Sequence, residues 1–155
     1  MSGYQCMTTI RLATTGDSHR LAKLSEVLGY PVSPAAMARR LHRVLTRRED
    51  VVFVAEQAGS GITGWIHGAE RGTLESDQRC EILGLVVEPT YRTLGIGRQL
   101  VTALEQWAKS RGLEEMAVRS NVMRVEAHPF YERLGYRRIK TSHTYRKVVP
   151  DLGDP

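Results

Sequence analysis

The residues whose types and spacing carry the most chemistry are Arg92, Gly95, Gly97 and Arg98. They follow Ile82 to Val87, an apolar run rich in β-branched residues and closed by Pro89. Such a run reads as a buried strand, and proline, lacking an N–H, cannot continue its ladder. They precede Leu100, Val101, Leu104, Trp107 and Ala108, which are spaced as one face of a helix. A glycine loop feeding a helix N-terminus aims several unpaired N–H groups and a positive dipole end at one spot. That spot suits an anion, and two bracketing arginines favour a diphosphate over a lone carboxylate. A glycine turn that holds no ligand is the plain alternative. Two other phosphate motifs are set aside. Gly97 is followed by Arg98-Gln99, not the Lys-Ser/Thr of a P-loop, and Leu100 stands where a dinucleotide fingerprint needs its last glycine.

Other reactive groups surround this loop in the sequence. Glu81 begins the apolar run, where partial desolvation would raise a carboxyl toward the range of a useful base; an ordinary strand-end carboxylate is the competing reading. Gly84 inside the strand marks a bulge or a close approach. The histidines show neither HExxH nor paired Cys/His spacing, so no metal is expected. His67, beside Trp65 on a strand, reads as a surface or satisfied core histidine, with a role facing a substrate as the alternative. Cys6 and Cys80 form no CxxC and no disulfide framework, which fits a reducing cytoplasm. Cys80 has no recognised base partner, so a covalent enzyme intermediate is not expected.

The elements that must position these groups can be read in order. The chain has 155 residues, the size of one domain with a single core. Its 22 Lys and Arg against 17 Asp and Glu give a formal charge of +5, which attracts anions without choosing among them. No apolar run approaches the roughly 18 residues that span a bilayer, and Met1 to Gln5 resembles no signal segment, so a soluble cytoplasmic protein is expected. Residues 8–13 alternate as a first strand. Gly16-Asp17-Ser18 caps a helix carrying Leu21, Leu24, Val27 and Leu28 and ending at Gly29. Ser33 and Pro34 start a second helix, to about Arg48, with Met37, Leu41, Val44 and Leu45 on its core face. Residues 51–56 and 62–70 form a hairpin around Gly59-Ser60-Gly61, 71–77 reads as a loop, and the strand of Ile82 follows, antiparallel to its predecessor. A helix from Gly97 to about Arg111, capped by Gly112, leads to a strand at 115–119. Strand, crossover helix and strand make a right-handed unit with parallel neighbours, and a ligand belongs at their carboxyl ends. A helix over 122–134, irregular at Pro129, stops at Gly135; residues 136–140 and 144–148 read as a terminal pair of strands, and 150–155 as a frayed tail. The sum is an α+β domain with a mixed, mostly antiparallel sheet of six or seven strands and about four helices, its ordered core covering about 8–149 of a single domain 1–155.

A family resemblance rests on two motifs. Arg92-x-x-Gly95-x-Gly97, after a strand ending Val-Val-Glu-Pro, resembles the acyl-CoA pyrophosphate loop of the GCN5-related N-acetyltransferases (GNAT). Ala127-His128-Pro129-Phe130-Tyr131-Glu132-Arg133-Leu134-Gly135-Tyr136 resembles that family's second signature, a helix carrying a tyrosine and ending at glycine. The resemblance implies acetyl-CoA as cosubstrate, held by the Leu85, Val86 and Val87 backbone and by the loop of Arg92, Thr93, Leu94, Gly95, Ile96, Gly97 and Arg98. It implies an oxyanion donor in the N–H near Val86, with Tyr131 as the acid for the departing thiolate and Glu81 as the base, through water. The family's asparagine seven residues before the tyrosine is replaced by Arg124, with Asn121 nearby, so either Asn121 holds the pantetheine or Arg124 contacts phosphate. By the same resemblance the region around Tyr30 and Met37 walls the acceptor side, and Trp65 joins them as a weaker substrate contact.

The expected function is direct, acetyl-CoA-dependent acetylation of a primary amine on a small molecule: an aminoglycoside, a polyamine or an amino-acid derivative. A protein amine is the alternative acceptor, and a CoA-binding regulatory module without turnover is the rival from another class. The stripe Arg39, Arg43 and Arg47 is the one feature suggesting nucleic acid, but no aromatic residues are interleaved to stack bases, and a solvated helix face explains it. Members of the family often form dimers, so a homodimer is allowed.

Overall fold

The computed structural model describes residues 7–120, 122, 125–151 and 153. Residues 1–119 and 120–155 form two separate compact units. In the first, the order is β1 (Thr8–Leu12), α1 (Ser18–Val27), α2 (Pro34–Leu45), β2 (Asp50–Gln57), β3 (Gly61–Thr73), β4 (Ser76–Val87), α3 (Ile96–Ser110) and β5 (Met116–Val118). The second carries α4 (Ala127–Arg133).

Local chemistry sets the helix starts. The Asp17 carboxylate accepts the Thr14 N–H at 2.8 Å and two Arg11 guanidinium bonds at 2.9 and 3.0 Å, fixing the turn into α1. The Arg11 bonds hold the Asp17 carboxyl below its ordinary range. At α2 the Ser33 hydroxyl accepts the Ala36 N–H at 3.1 Å, with Pro34 in the first turn, where its missing donor costs nothing. α2 stops at Leu45, short of Arg48, because the Thr46 hydroxyl turns back to the Arg43 carbonyl at 2.8 Å.

The five strands lie in sequence order, antiparallel from β1 through β4 and parallel between β4 and β5. α3 packs on the face presented by Gly64, Ile66 and Gly68. A Cβ at Gly68 would stand 2.2 Å from a Leu104 methyl, so the glycine is what lets the helix seat. The other face carries Val52, Val54 and Val86, packed with Leu21, Leu24 and Leu41 of α1 and α2, and Met37, Val44 and Trp65 close the same cluster. The predicted core positions of both N-terminal helices are therefore the ones that meet the sheet.

Four expectations need correction. The sheet among the described residues has five strands, not six or seven. Residues 136–140 and 144–148 join no ladder, and the apolar side chains of that stretch, Ile139, Tyr145, Val148 and Val149, are 84–89% exposed. Alternation gives a segment the capacity to pair, but a strand exists only where a partner satisfies its backbone. The predicted loop 71–77 shrinks to Leu74 and Glu75, since β3 and β4 extend through polar residues whose backbones pair, with the Thr73 and Ser76 hydroxyls 3.0 Å apart at the turn. The predicted helix 122–134 shortens to α4, in which Pro129 occupies the first turn. α4 ends as expected at Gly135, whose φ of 91° lets the Tyr136 N–H reach the Tyr131 carbonyl at 3.0 Å. Of the tail reading at 150–155, residues 152, 154 and 155 lie outside the described residues. No helix among the described residues is long and apolar enough to cross a membrane.

Candidate active site

The glycine loop runs into the N-terminus of α3, as its spacing predicted. A short 3-10 turn over Pro89–Tyr91 leads into it. Thr93 (φ 73°) and Gly95 (φ 78°) are both left-handed, and they turn the backbone into the N-terminus of α3. Gly95 is the N-cap, and a Cβ there would meet nothing within 4 Å, so conformation rather than space requires the glycine. Thr93 gains no such relief; a non-glycine residue in this region marks a loop held in shape for use. Ile96 and Leu100, both buried, pin the first turn of α3 against Gly64. The first N–H groups of α3 have no helical partner, and Arg92 and Arg98 are both exposed and bond to no described residue. Unpaired amides, a helix dipole and two uncommitted guanidiniums fit a diphosphate. The strand entering the cradle is tied down from behind, because Arg20 grips Glu88 at 2.6 Å and the Ile62 carbonyl at 2.8 Å.

β4 supplies the second part. β5 pairs only with Cys80, Glu81 and Ile82. From Leu83 to Val87, β4 has β3 on one side and no ladder on the other among the described residues. The register shifts between His67 and Gly68, leaving Leu83 as the extra residue of a bulge. The bulge anticipated at Gly84 thus lies one residue earlier. The close approach at Gly84 is made by Trp65, whose ring atoms Cη2 and Cζ3 would stand 2.8 Å from a Cβ there. A strand edge that is open just before an anion cradle can hydrogen-bond an extended amide-bearing chain.

The third part is a groove of about 340 Å³ between the sheet and the helices α1 and α2. It brings Tyr30, Met37 and Trp65 together, the three predicted substrate contacts, and adds His67, Leu83 and Gly84. Among the described residues its titratable lining is Tyr30, Arg40, Arg43 and His67, with no carboxylate. His67 is held from behind: its Nε2 lies 2.9 Å from Oδ2 of Asp50, a side chain only 1% exposed. The other Asp50 oxygen accepts two Arg71 guanidinium bonds at 3.1 Å each. Nothing in the residue order hints at the Asp50 contact, since the partners sit on different strands; only the shared face of Trp65 and His67 is readable there.

Glu81 does not line this groove, though it shares a sheet face with His67. It lies opposite Ala69 on β3 and Ala117 on β5, and accepts an Arg79 bond at 3.1 Å. Cys80 shares the α3 side of the sheet with Gly68, and burial pushes its thiol up to about 11, with Glu70 and Glu81 adding repulsion, so it is a core thiol rather than a nucleophile. A larger polar cavity of about 520 Å³ opens at the far end of α3, but two of its guanidiniums are committed, Arg71 to Asp50 and Arg111 to Glu70. Within the second unit, Tyr131 lies on α4 with its ring edge-on to Phe130 at 5.1 Å and Tyr136 at 5.8 Å. Asn121 and Arg124 lie outside the described residues. No cluster of metal-ligating side chains occurs among the described residues.

Known proteins resemble this chain in sequence and in fold. The chain is 31% identical over 137 residues to an aminoglycoside N(6')-acetyltransferase type 1 of Stenotrophomonas maltophilia, covering 85% of this chain and 88% of that protein. A shorter match, 41% identical over 58 residues, is to an aminoalkylphosphonate N-acetyltransferase of Salmonella typhimurium and covers 37% of this chain and 38% of that one. Among solved structures, the aminoglycoside N-acetyltransferase AAC(6')-Iy in complex with CoA superposes with a TM-score of 0.82 at 20% identity, over 95% of this chain and 99% of that one. The acetyltransferase (GNAT) family profile matches residues 14–136, from the turn before α1 to the residue after Gly135. A match of that extent, with the cradle and second signature inside it, makes this chain a member of the GNAT acetyltransferase family.

Proposed function

We propose that the protein is an acetyl-CoA-dependent N-acetyltransferase that passes the acetyl group directly to a primary amine of a small molecule. One observation carries the reading: an anion cradle with two uncommitted arginines follows an open strand edge, and that edge borders an apolar groove. The cradle from Arg92 to Arg98 would hold the CoA phosphates, and the Leu85–Val87 backbone would hydrogen-bond the pantetheine arm. Bound there, the thioester supplies an activated acyl carbon. The N–H near Val86 serves as the oxyanion donor, and Tyr131 gives its hydroxyl proton to the leaving thiolate. Asn121 or Arg124 completes the CoA contacts. Glu81 is the carboxylate that the family resemblance assigns as base, through water; it is tied to Arg79 and does not line this groove.

The groove narrows the acceptor. A polycationic aminoglycoside or polyamine calls for carboxylates, whereas Arg40 and Arg43 put positive charge at this groove. We therefore favour an amine that also carries an anionic group, such as an amino-acid derivative, a class to which the aminoalkylphosphonate acceptor of one relative's name belongs. The chain is read as one acetyltransferase domain, working in the cytoplasm and able to form a homodimer.

The test is thiol release from acetyl-CoA across amino acids, aminophosphonates, aminoglycosides, polyamines and peptides, with calorimetric CoA binding beside it. Amine-dependent release that falls in Tyr131→Phe while CoA still binds is the expected result. Release with peptides alone would move the acceptor to a protein amine. CoA binding without release under any amine would favour the regulatory module, and absence of CoA binding would remove the cradle assignment.

A further inference from the structure

We propose that His67 is the group that first takes the proton from the acceptor ammonium, and that Asp50 exists to hold it for that step; the inference rests on the acetyltransferase reading above. Asp50 opens β2 with its carboxylate buried between two donors. One oxygen takes both Arg71 bonds, and the other lies 2.9 Å from His67 Nε2. An ionised carboxylate only accepts hydrogen bonds, so Nε2 must carry a proton and the lone pair of the neutral ring falls on Nδ1. Nδ1 bonds to no described residue. A buried carboxylate that fixes a histidine tautomer from behind is the arrangement that general bases use.

Position supports the same role. His67 lines the groove and pairs across β3 and β4 with Gly84, the residue just past the Leu83 bulge. That is where β5 has ended and the open edge of β4 begins. An amine seated in the groove thus meets His67 where it must also meet the thioester. Glu81, by contrast, sits where strands flank β4 on both sides, and it does not line this groove. The charged and titratable groups facing His67 are Asp50 from β2, Arg71 from β3, Arg79 and Glu81 from β4, Arg40 and Arg43 from α2, and Tyr30 from the α1–α2 connection.

The proton count closes. An ammonium must lose two protons to become an amide N–H. The first passes to Nδ1 and later to solvent, freeing the lone pair that attacks the thioester carbon. The second leaves the nitrogen as the C–S bond breaks, and one proton, through Tyr131, ends on the CoA thiol. Nothing is oxidised or reduced.

The experiment compares wild type with His67→Gln, His67→Ala, Asp50→Asn and Glu81→Gln, using amine-dependent thiol release under saturating acetyl-CoA, with CoA calorimetry to certify the fold. His67→Gln should lose about 10²- to 10⁴-fold in kcat near neutral pH, with KM for acetyl-CoA unchanged. The deficit should narrow as pH approaches the acceptor's own pKa, about 10.4 for a lysine-like amine, because a free amine needs no base. Added imidazole should restore part of the His67→Ala rate but none of the Asp50→Asn loss. The proposal is overturned if folded His67→Gln stays within about threefold of wild type, if its whole loss lies in the acceptor KM, or if Glu81→Gln alone shows the narrowing with pH. A wild-type protein that binds CoA but releases no thiol with any amine overturns the acetyltransferase reading and this inference together.

Discussion

Replacing Gly68 by alanine tests how the cradle is supported, because one methyl group there must move a helix. The added Cβ would lie 2.2 Å from Leu104 Cδ1, 2.6 Å from Cδ2 and 2.9 Å from Cγ. Ordinary contact begins near 3.4 Å, and rotation about the Cβ–Cγ bond moves the methyls but leaves the Cγ clash in place. Leu104 is fully buried, so the relief must come from α3 lifting off β3 by about 1 Å in a close-packed interior. Overpacking of this kind costs about 1–3 kcal/mol. In a domain of this size that is a Tm drop of about 3–10 °C, or a lower urea midpoint at unchanged m. Leu104→Ala alone should cost about 2–5 kcal/mol. In the double variant the methyl added at Gly68 enters the space Leu104 vacated, so the two losses should fall short of their sum by about 0.5–3 kcal/mol. Because α3 also carries the cradle at its N-terminus, CoA affinity should fall in Gly68→Ala and recover in the double variant. A neutral Gly68→Ala, or strict additivity, would refute the claim that this glycine sets the distance between helix and sheet.

Three further outcomes follow from the same geometry. Arg92→Ala and Arg98→Ala should each weaken CoA binding by about 1.5–3 kcal/mol, as expected for charged hydrogen bonds, with kcat at saturation nearly intact; titration calorimetry in low and high salt checks both, and a collapse of kcat at unchanged affinity would contradict it. Arg40→Glu combined with Arg43→Glu should raise KM for anionic amines and lower it for aminoglycosides, by about fivefold per charge for solvent-screened contacts, as read from acceptor KM values. Cys80 makes stability fall in alkali: the folded thiol, raised to about 11 chiefly by burial, ionises later than the unfolded one at 9.0. The unfolded chain therefore sheds its proton first, so the contribution is intact below about pH 9 and is lost as pH rises through about 11. Urea midpoints across that window should flatten in Cys80→Ala, and native Cys80 should resist alkylation at neutral pH until denaturant is added.

The parts of the site that were legible in the sequence are those encoded by chain neighbours. Ser33 and Pro34 announce a helix start by local bonding, and Arg92 to Arg98 announce a cradle because loop, glycine and helix pattern are contiguous. The parts that were hidden depend on register. Strict alternation along β4 would put Glu81, Leu83 and Leu85 on one face. The bulge at Leu83 breaks that count, so Glu81 and Gly84, three residues apart, share the face of Ala69 and His67, while Leu85 turns to the α3 side with Ile66. No composition or spacing rule signals this shift, apart from a glycine in a strand, and Gly84 is needed there because Trp65 lies over it. The same insertion decides which groups can meet an acceptor. β5 covers the edge of β4 at Glu81, and the insertion sets His67 opposite Gly84, beyond that pairing. The carboxylate on β4 was legible because it opens an apolar run; that a histidine of β3, backed by an aspartate seventeen residues earlier, lines the groove depends on pairing between strands that no contiguous motif encodes.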